Sequence, residues 1–113
     1  MKLLSLARDL KRRKARERQH LFAAEGVRAV EELIRSPLGV RGVLVAPQLA
    51  DAPRGAALVD VLRTRRIDVV QVGALEFASA AETDSPQGVL AIAEIPAHDL
   101  DSLALPPSAR IVL

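Results

Sequence analysis

A glycine between a short apolar run and an amphipathic segment constrains this chain most. Residues 21–25 read Leu-Phe-Ala-Ala-Glu, which is typical of a buried strand, and residues 27–34 carry apolar side chains at helical spacing. Gly26, between them, can adopt positive φ without strain and so permits a tight turn. A glycine turn that opens a helix also exposes backbone N–H groups at the positive end of the helix dipole, which is typical of an anion-binding site.

The same alternation continues along the chain and predicts an α/β fold. Short runs rich in Val, Ile and Leu indicate strands, and the segments between them have helical periodicity. Because most connections are then helical crossovers, we predict a three-layer α/β/α sandwich of about four mostly parallel strands. The later strands are predicted at 42–46, 67–72 and 89–95, and a short helix over 75–81. Another helix is predicted to start at Asp51–Pro53, with the Asp51 carboxylate as its cap, and to pack through Ala57, Leu58, Val61 and Leu62.

The most basic part of the chain lies just before the opening motif. Residues 3–18 lack glycine, proline and β-branched residues, so they are predicted to form one helix. Residues 1–20, the basic arm, carry 8 − 2 = +6 charges, whereas the whole chain carries +2, which leaves +2 − 6 = −4 for the rest. A solvated helix end and an arm that contacts RNA phosphates both explain this charge. The candidate phosphate contacts are Lys11, Arg12, Arg13, Lys14, Arg16 and Arg18.

Composition argues against several classes of function. Phe22 and Phe77 are the only aromatic residues, which disfavours a module that stacks single-stranded bases on aromatic rings. The chain has no cysteine, and His20 and His98 lie far apart, so neither a disulfide framework nor a metal site is predicted. No apolar run reaches the roughly 20 residues of a membrane helix, and the N-terminus lacks a secretory signal, so we predict a cytoplasmic protein without membrane contact.

Two segments together resemble a known family. Phe22-Ala-Ala-Glu-Gly-Val-Arg-Ala-Val-Glu-Glu-Leu33, preceded by the basic helix, is similar to the opening of the N-terminal substrate-binding domain of SpoU/TrmH-type RNA ribose methyltransferases. Glu82-Thr-Asp-Ser-Pro-Gln-Gly-Val-Leu-Ala91 is similar to the segment that ends that domain. With strand–helix alternation between the two motifs, the resemblance covers about residues 3–96.

The resemblance implies a fold akin to the ribosomal and kink-turn-binding RNA proteins. It also implies a knotted catalytic domain that binds S-adenosylmethionine, methylates a ribose 2′-hydroxyl and mediates dimerisation of full-length members. Ile111–Leu113 would be the first strand of that domain. No catalytic, cofactor-binding or metal-binding residue carries over to this chain, which is expected to be monomeric. The implied division is a basic arm at 1–20, an RNA substrate-binding α/β domain at 21–96, and a linker with the first catalytic-domain strand at 97–113.

The resemblance also places an RNA-facing surface at the glycine turn and at the loop before the last strand. Kink-turn-binding relatives use an Asn-Glu pair at the helix start, where this chain has Arg28-Ala29. Each of these residues also has a purely structural explanation that competes with RNA contact. Gly26 permits positive φ, the Glu25 carboxylate stabilises a helix N-terminus, and residues 86–88 can simply lead into a strand. The predicted RNA-contacting residues here are Glu25, Gly26, Arg28, Pro86, Gln87 and Gly88.

These features together predict an RNA substrate-recognition domain for a SAM-dependent rRNA or tRNA 2′-O-methyltransferase. RNA is the predicted partner, and the chemistry would belong to a domain outside these 113 residues. Two alternatives stay open. One is a stand-alone, non-enzymatic RNA-binding module, and the other is a packing or dimerisation domain whose basic helix meets an acidic protein.

Overall fold

The structure, a computed structural model, describes residues 2–83, 86–95 and 109–110. The predicted strand, glycine and helix of the opening motif are confirmed as β1, Gly26 and α3. In chain order the elements are α1 (Lys2–Asp9), α2 (Arg13–Gln19), β1 (Leu21–Glu25), α3 (Val27–Arg35), β2 (Val40–Val45), a 3-10 helix (Pro47–Asp51), α4 (Pro53–Thr64), β3 (Val69–Gln71), α5 (Ala74–Ala80), β4 (Val89–Glu94) and β5 (Ala109–Arg110).

The strands form one mixed sheet in the order β3-β2-β4-β1-β5. β4 lies in the middle and pairs antiparallel with β1 and with β2, and β5 pairs antiparallel with the outer side of β1. Among the described strands only β2 and β3 pair in parallel. The α/β class is confirmed, but the prediction of mostly parallel pairing is wrong. After α5 the chain starts β4 at the edge of the sheet where β1 ends, so β4 has to run in the opposite direction.

Helices cover both faces of the sheet, which confirms the three-layer arrangement. Phe22 and Ala24 of β1 belong to a core with α3 and α4, whereas Leu21 and Ala23 belong to a core with α1 and α5. This alternation is the two-residue period of a strand. Residues 89–93 of β4 are all buried, as predicted for a strand with a helical layer on each side.

The prediction of one helix over residues 3–18 is wrong, because the chain turns between α1 and α2. Leu10, at the end of α1, is buried, and Arg12 is extended with φ −95° and ψ 131°. The apolar stripe of the first helix stops at Leu10, and Ala15 is the only uncharged residue from 11 to 18. The turn lets α2 bury Ala15, and Arg16 Nη1 donates to the Leu10 carbonyl oxygen at 2.8 Å. That bond satisfies an acceptor at the end of α1.

The helix predicted to start at Asp51–Pro53 starts differently. Pro53 does lie in the first turn of α4, but the N-cap is Ala52, and no side chain caps the helix. Asp51 is unavailable as the N-cap because it is the last residue of the 3-10 helix that begins at Pro47.

The packing face of α4 is also partly different from the predicted one. Leu58 and Leu62 are buried as predicted, whereas Ala57 and Val61 are exposed. Gly55 is buried in their place. The helix is rotated so that this residue, which has no side chain, faces the 3-10 helix and allows a close approach.

The remaining boundaries agree with the prediction to within a few residues. β3 is the main exception, because it contains Val69–Gln71 of the predicted 67–72. Residues 97–108, predicted to be a linker, and Ile111–Leu113, assigned to a further domain, lie outside the described residues, so that division stays a prediction. In the part of the chain that the structure describes, no helix is both long and apolar enough to span a bilayer.

The close packing of Gly55 against the 3-10 helix predicts a stability change opposite to the one expected from helix propensity. An added Cβ at this position would collide with the backbone carbonyl oxygen of Leu49, which a side-chain rotation cannot relieve. Helix propensity alone would make Gly55→Ala stabilising by about 1 kcal/mol. We expect Gly55→Ala to destabilise the domain by about 1–3 kcal/mol instead, measured by urea unfolding.

The reverse substitution at the next residue of α4, Ala56→Gly, is the control, because Ala56 is exposed. Ala56→Gly should cost about 1 kcal/mol through propensity alone. If Gly55→Ala raised stability by the amount that Ala56→Gly lowered it, the packing argument would be refuted.

An ion pair joins the outer sides of α3 and α4. Arg54 Nη2 lies 2.6 Å from Glu31 Oε1, and Arg54 Nε donates to both carboxylate oxygens at 3.1 Å. The hydrogen bond from Arg54 is the main cause that lowers the pKa of Glu31, and burial of the carboxylate opposes it. The side chain of Arg54 is 65% exposed and that of Glu31 is 20% exposed, so water screens the pair and its contribution is modest.

The lowered pKa of Glu31 predicts the pH dependence of this pair. A carboxylate whose pKa is lower in the folded than in the unfolded state stabilises the fold above the unfolded pKa, and the effect is lost as pH falls through the folded pKa. We expect Arg54→Gln to lower the free energy of unfolding near neutral pH and to match the wild type well below 4.5, the ordinary pKa of Glu31. Urea unfolding at several pH values measures this, and a stability difference that does not vary with pH would contradict it.

Candidate nucleic-acid interface

The turn from β1 to α3 has a backbone conformation that favours glycine. Gly26 has φ 101° and ψ 157°, a region in which residues with a Cβ are strained. Its N–H donates to the carbonyl oxygen of Val89 at 3.0 Å, and its carbonyl accepts the N–H of Val30 at 3.1 Å. The turn is therefore fastened both to the start of β4 and to the first turn of α3. We call this edge of the sheet, where β1 and β2 end and β4 begins, the Gly26 edge.

The loop before β4 closes over the start of α3. Gln87 Oε1 accepts the backbone N–H of Val27 at 2.8 Å, as a side-chain cap does at a helix N-terminus. Gly88 has φ 97°, and its carbonyl accepts the N–H of Ala46 at 2.8 Å, which ties the loop to the end of β2. The first N–H of α3, which the sequence pattern offers to an anion, thus already has a partner within the protein.

Gln48, which the sequence pattern does not single out, completes this edge. Its Nε2 lies 3.5 Å from the carbonyl oxygen of Pro86, and its Oε1 is buried without a hydrogen-bond partner among the described residues. Gly88 packs directly against it, since a Cβ there would come within 3.1 Å of Gln48 Cγ. Gln48 reaches this place because the 3-10 helix follows β2 immediately, and no apolar periodicity marks so short an element.

Glu25, the last residue of β1, holds the chain that follows α5. Its carboxylate accepts the backbone N–H of Glu82 at 3.0 Å and the hydroxyl of Thr83 at 2.6 Å. These bonds place the start of the loop at 82–88 beside the end of β1. The structure therefore gives Glu25 a role in positioning this loop, and its contact with RNA stays a prediction.

Arg28 is the exposed cation of the Gly26 edge. Its side chain is 81% exposed, and its Nε lies 3.9 Å from Glu32 Oε1. A pair at that distance and exposure is weak, so the guanidinium can reach an external anion beside the turn. The structure thus brings to one edge all the predicted residues outside the arm, namely Glu25, Gly26, Arg28, Pro86, Gln87 and Gly88.

Two arginines of the basic arm form ion pairs within the arm. Arg12 lies 3.2 Å from Asp9, and Arg13 lies 3.0 Å from Glu17. The side chains of both pairs are at least half exposed. Pairs of this kind stabilise little, so a phosphate can replace the carboxylate at small cost.

Of the four other predicted phosphate contacts in the arm, Arg16 and Lys11 bond backbone carbonyls, and Lys14 and Arg18 are free of bonds to the described part of the chain. Arg16 is half-buried and bonds the Leu10 carbonyl, and its Nε is buried without a partner in the described ranges. Lys14 and Arg18 are exposed, and neither has an ion pair or hydrogen bond with a described residue. They are four positions apart in α2 and so share one helical face. This face therefore carries two cations without a described partner, whereas Arg8, Lys11 and Arg16 bond neutral oxygens of the protein.

The arm runs along β1 between the Gly26 edge and the opposite edge. At one end Lys11 Nζ donates at 3.3 Å to the carbonyl of Ser79, which lies shortly before the loop at Glu82. At the other end His20 leads into β1, and its carbonyl accepts the N–H of Ile95 at 2.8 Å. The arm therefore lies on the face of the sheet that also carries α5, with Lys11 towards the Gly26 edge.

This fold, with helices on both faces of a mixed sheet, is shared with solved RNA methyltransferases. One structure, described as an RNA 2′-O ribose methyltransferase, superposes with a TM-score of 0.71 at 22% identity over 93% of this chain and 39% of that chain. The SpoU methyltransferase AviRb from Streptomyces viridochromogenes, in complex with AdoMet, gives 0.67 at 24% identity over 92% and 37%. A protein from Porphyromonas gingivalis, assigned in its description to the TrmH family of RNA methyltransferases, gives 0.63 at 25% identity over 83% and 34%.

The family assignment rests on the sequence match. The family described as MRM3-like substrate binding domain matches residues 5–91, which is most of the chain, so this chain belongs to that family. The resemblance to the substrate-binding domain of SpoU/TrmH RNA methyltransferases is thereby confirmed. The chain spans between a third and two-fifths of the length of these solved chains. None of the curated proteins matches it.

The cap on α3 can be tested through stability. Gln87→Ala removes the acceptor of the Val27 N–H and should lower the free energy of unfolding by about 0.5–2 kcal/mol, measured by thermal or urea unfolding. Gln19→Ala is the control, because Gln19 is exposed in α2 and has no hydrogen bond to the described residues. Equal stabilities of the Gln87 and Gln19 variants would show that Gln87 does not cap the helix.

Proposed function

We propose that this domain recognises the RNA substrate of a SAM-dependent RNA 2′-O-methyltransferase. One observation carries the proposal. Two exposed cations on α2, Lys14 and Arg18, have no ion-pair partner among the described residues, and the domain belongs to a substrate-binding family. RNA is the polyanion expected for such a family, and a helical face of uncompensated cations suits its phosphates. Ribosomal RNA and transfer RNA are both suitable substrates, and the cytoplasm is the proposed location.

The proposed roles divide between the arm and the Gly26 edge. Phosphate contacts supply affinity and fix orientation without reading sequence, and the arm suits this role. Arg28 and Gln87, beside the Gly26 turn, would face the nucleotide to be modified, because Arg28 is open to solvent and Gln87 is held in place by its bond to α3. Arg28 stands where kink-turn binders have part of an Asn-Glu pair, so we propose a backbone or phosphate contact there.

The methyl transfer itself is proposed for a catalytic domain outside these residues. AdoMet is present in the structure of AviRb, a chain of which this domain covers 37%, and this supports S-adenosylmethionine as the cofactor of the parent protein. In this proposal residues 97–113 lead into that domain, and dimerisation occurs through it. The isolated chain is proposed to be a monomer that binds neither cofactor nor metal.

Substitution of the free cations tests the proposal more sharply than deletion of the arm. Removal of residues 1–18 would also strip Leu4, Ala7 and Leu10 from the core and so lower stability. Lys14→Ala combined with Arg18→Ala leaves the buried residues and the helix propensity of α2 intact. We expect RNA affinity to fall about tenfold near 0.1 M salt, and the slope of log K against log salt to become shallower by about 1.4–1.8. Electrophoretic titration with a transfer RNA transcript and an rRNA stem–loop, at two salt concentrations, measures both.

The control removes the same charge from cations that already have partners. Arg41 lies 2.9 Å from Glu94, and Arg54 pairs with Glu31, so Arg41→Gln combined with Arg54→Gln should change RNA binding little. Equal loss in both double variants would mean that only net charge matters. Wild-type protein that bound neither RNA and self-associated in native mass spectrometry would favour a packing domain instead.

A further inference from the structure

A second concentration of positive charge lies at the edge of the sheet opposite Gly26. β1 and β2 both run antiparallel to β4 and end at the Gly26 edge, so α3 and α4, which follow them, run back and end at the opposite edge. The ends of these two helices supply four exposed arginines. We call Arg35, Arg63, Arg65 and Arg66 the arginine cluster.

A hydrogen bond ties Arg65 of the cluster to the end of α3. Arg65 Nη1 donates at 2.7 Å to the carbonyl oxygen of Ile34, which immediately precedes Arg35. Arg35 and Arg65 line one groove of about 240 Å³, between α3 and α4. Arg63 and Arg66 line a second groove of about 370 Å³, between α4 and β3. The four arginines therefore line the two grooves that flank the end of α4.

Nearby carboxylates compensate only half of this charge. Asp60 lies 3.8 Å from Arg63, with both side chains more than three-quarters exposed, and Asp68 lines the second groove. Glu31, in the first groove, is held by Arg54. Four arginines against the two remaining carboxylates leave 4 − 2 = +2 at this end of α4. An exposed excess of one sign attracts a partner of the opposite sign.

Arg66 occupies a position at which glycine is the favoured residue. It has φ 57°, its N–H donates to the carbonyl of Arg63 at 3.1 Å, and the N–H of Ile67 donates to the carbonyl of Leu62 at 3.1 Å. This is the closure of a helix by a left-handed residue, where a Cβ is strained. The helix dipole explains arginines in the last turn of α4, but it does not require the strained residue itself to be an arginine. A strained residue that is not glycine points to a role for its side chain.

We infer that the arginine cluster is a second phosphate-binding site for RNA, with Arg66 as a direct contact. The inference rests on the proposed function, because the RNA held by the arm is the RNA that would occupy the cluster. α2 ends just before β1 begins, so Arg18 lies towards the same edge as the cluster. RNA bound to both therefore crosses the edge opposite Gly26. A guanidinium suits this site because it binds phosphate through two parallel hydrogen bonds.

Arg66→Gly separates binding from stability, because the two should change in opposite directions. Release of the strained φ should raise Tm by about 2–5 °C. Loss of one phosphate contact should weaken binding about fivefold near 0.1 M salt and make the salt slope shallower by about 0.7–0.9. Arg66→Lys keeps both the charge and the strain, so its Tm and its salt slope should stay near the wild-type values. The probes are the transfer RNA transcript and the rRNA stem–loop, titrated against the full 113-residue chain.

Arg54→Gln is the charge control, made in a Glu31→Gln background and compared with Glu31→Gln alone, because Arg54→Gln by itself would release the Glu31 carboxylate into the groove beside Arg35. It removes one positive charge at the other end of α4, about 18 Å from Arg66 at 1.5 Å per residue, and it should leave binding near the value of Glu31→Gln alone. Wild-type affinity of Arg66→Gly, or an equal loss with Arg54→Gln, would overturn the inference. If the Lys14/Arg18 double variant loses affinity while Arg66→Gly does not, only the cluster fails as a site. If the wild type binds neither RNA, the proposed function and the cluster site fail together.

Discussion

The insertion of β4 between β1 and β2 is the interaction on which the rest of the domain depends. β4 is buried on both faces and supplies residues to both cores. Its two ends also fix the regions proposed to contact RNA. The Val89 carbonyl accepts the Gly26 N–H at the start of the strand, and the Ile95 N–H bonds the His20 carbonyl just beyond its end. The glycine turn and the junction of the arm with β1 are therefore set by the same strand.

Local order was predictable from sequence, and long-range pairing was not. Periodicity reports which residues of a segment are buried, so β1, α3 and the doubly buried β4 follow from the residues themselves. Whether β4 pairs parallel or antiparallel depends on the edge at which the chain arrives after α5. The break between α1 and α2 was also not predictable from local sequence. It depends on tertiary contacts that bury Leu10, next to α1, and Ala15 in α2. Tertiary contact overrides helix propensity there.

In the candidate site, too, the locally determined features were predictable from sequence and the long-range contacts were not. Gly26 was predictable because a turn into a helix calls for a residue with conformational freedom, and its φ of 101° agrees. Gln48 was not, since it joins the edge only through β2 and the loop at Pro86. The function of Glu25 in the fold was equally hidden. Its partners Glu82 and Thr83 lie 57 and 58 residues away, and no local pattern reports such a bond.

In the proposed function, the distribution of charge assigns RNA affinity and positioning of the nucleotide to different parts of the domain. At the Gly26 edge the first N–H of α3 is capped by Gln87, and Glu25 is bonded to the loop, so hydrogen bonds fasten this edge, and Arg28 is an exposed cation beside it. The free positive charge lies instead on α2 and at the ends of α3 and α4. Phosphate contacts on mobile, solvated cations give salt-dependent affinity, whereas fixed donors and acceptors discriminate by geometry. In the proposed function RNA is held through the helices, so the Gly26 edge could present the nucleotide without having to supply the affinity.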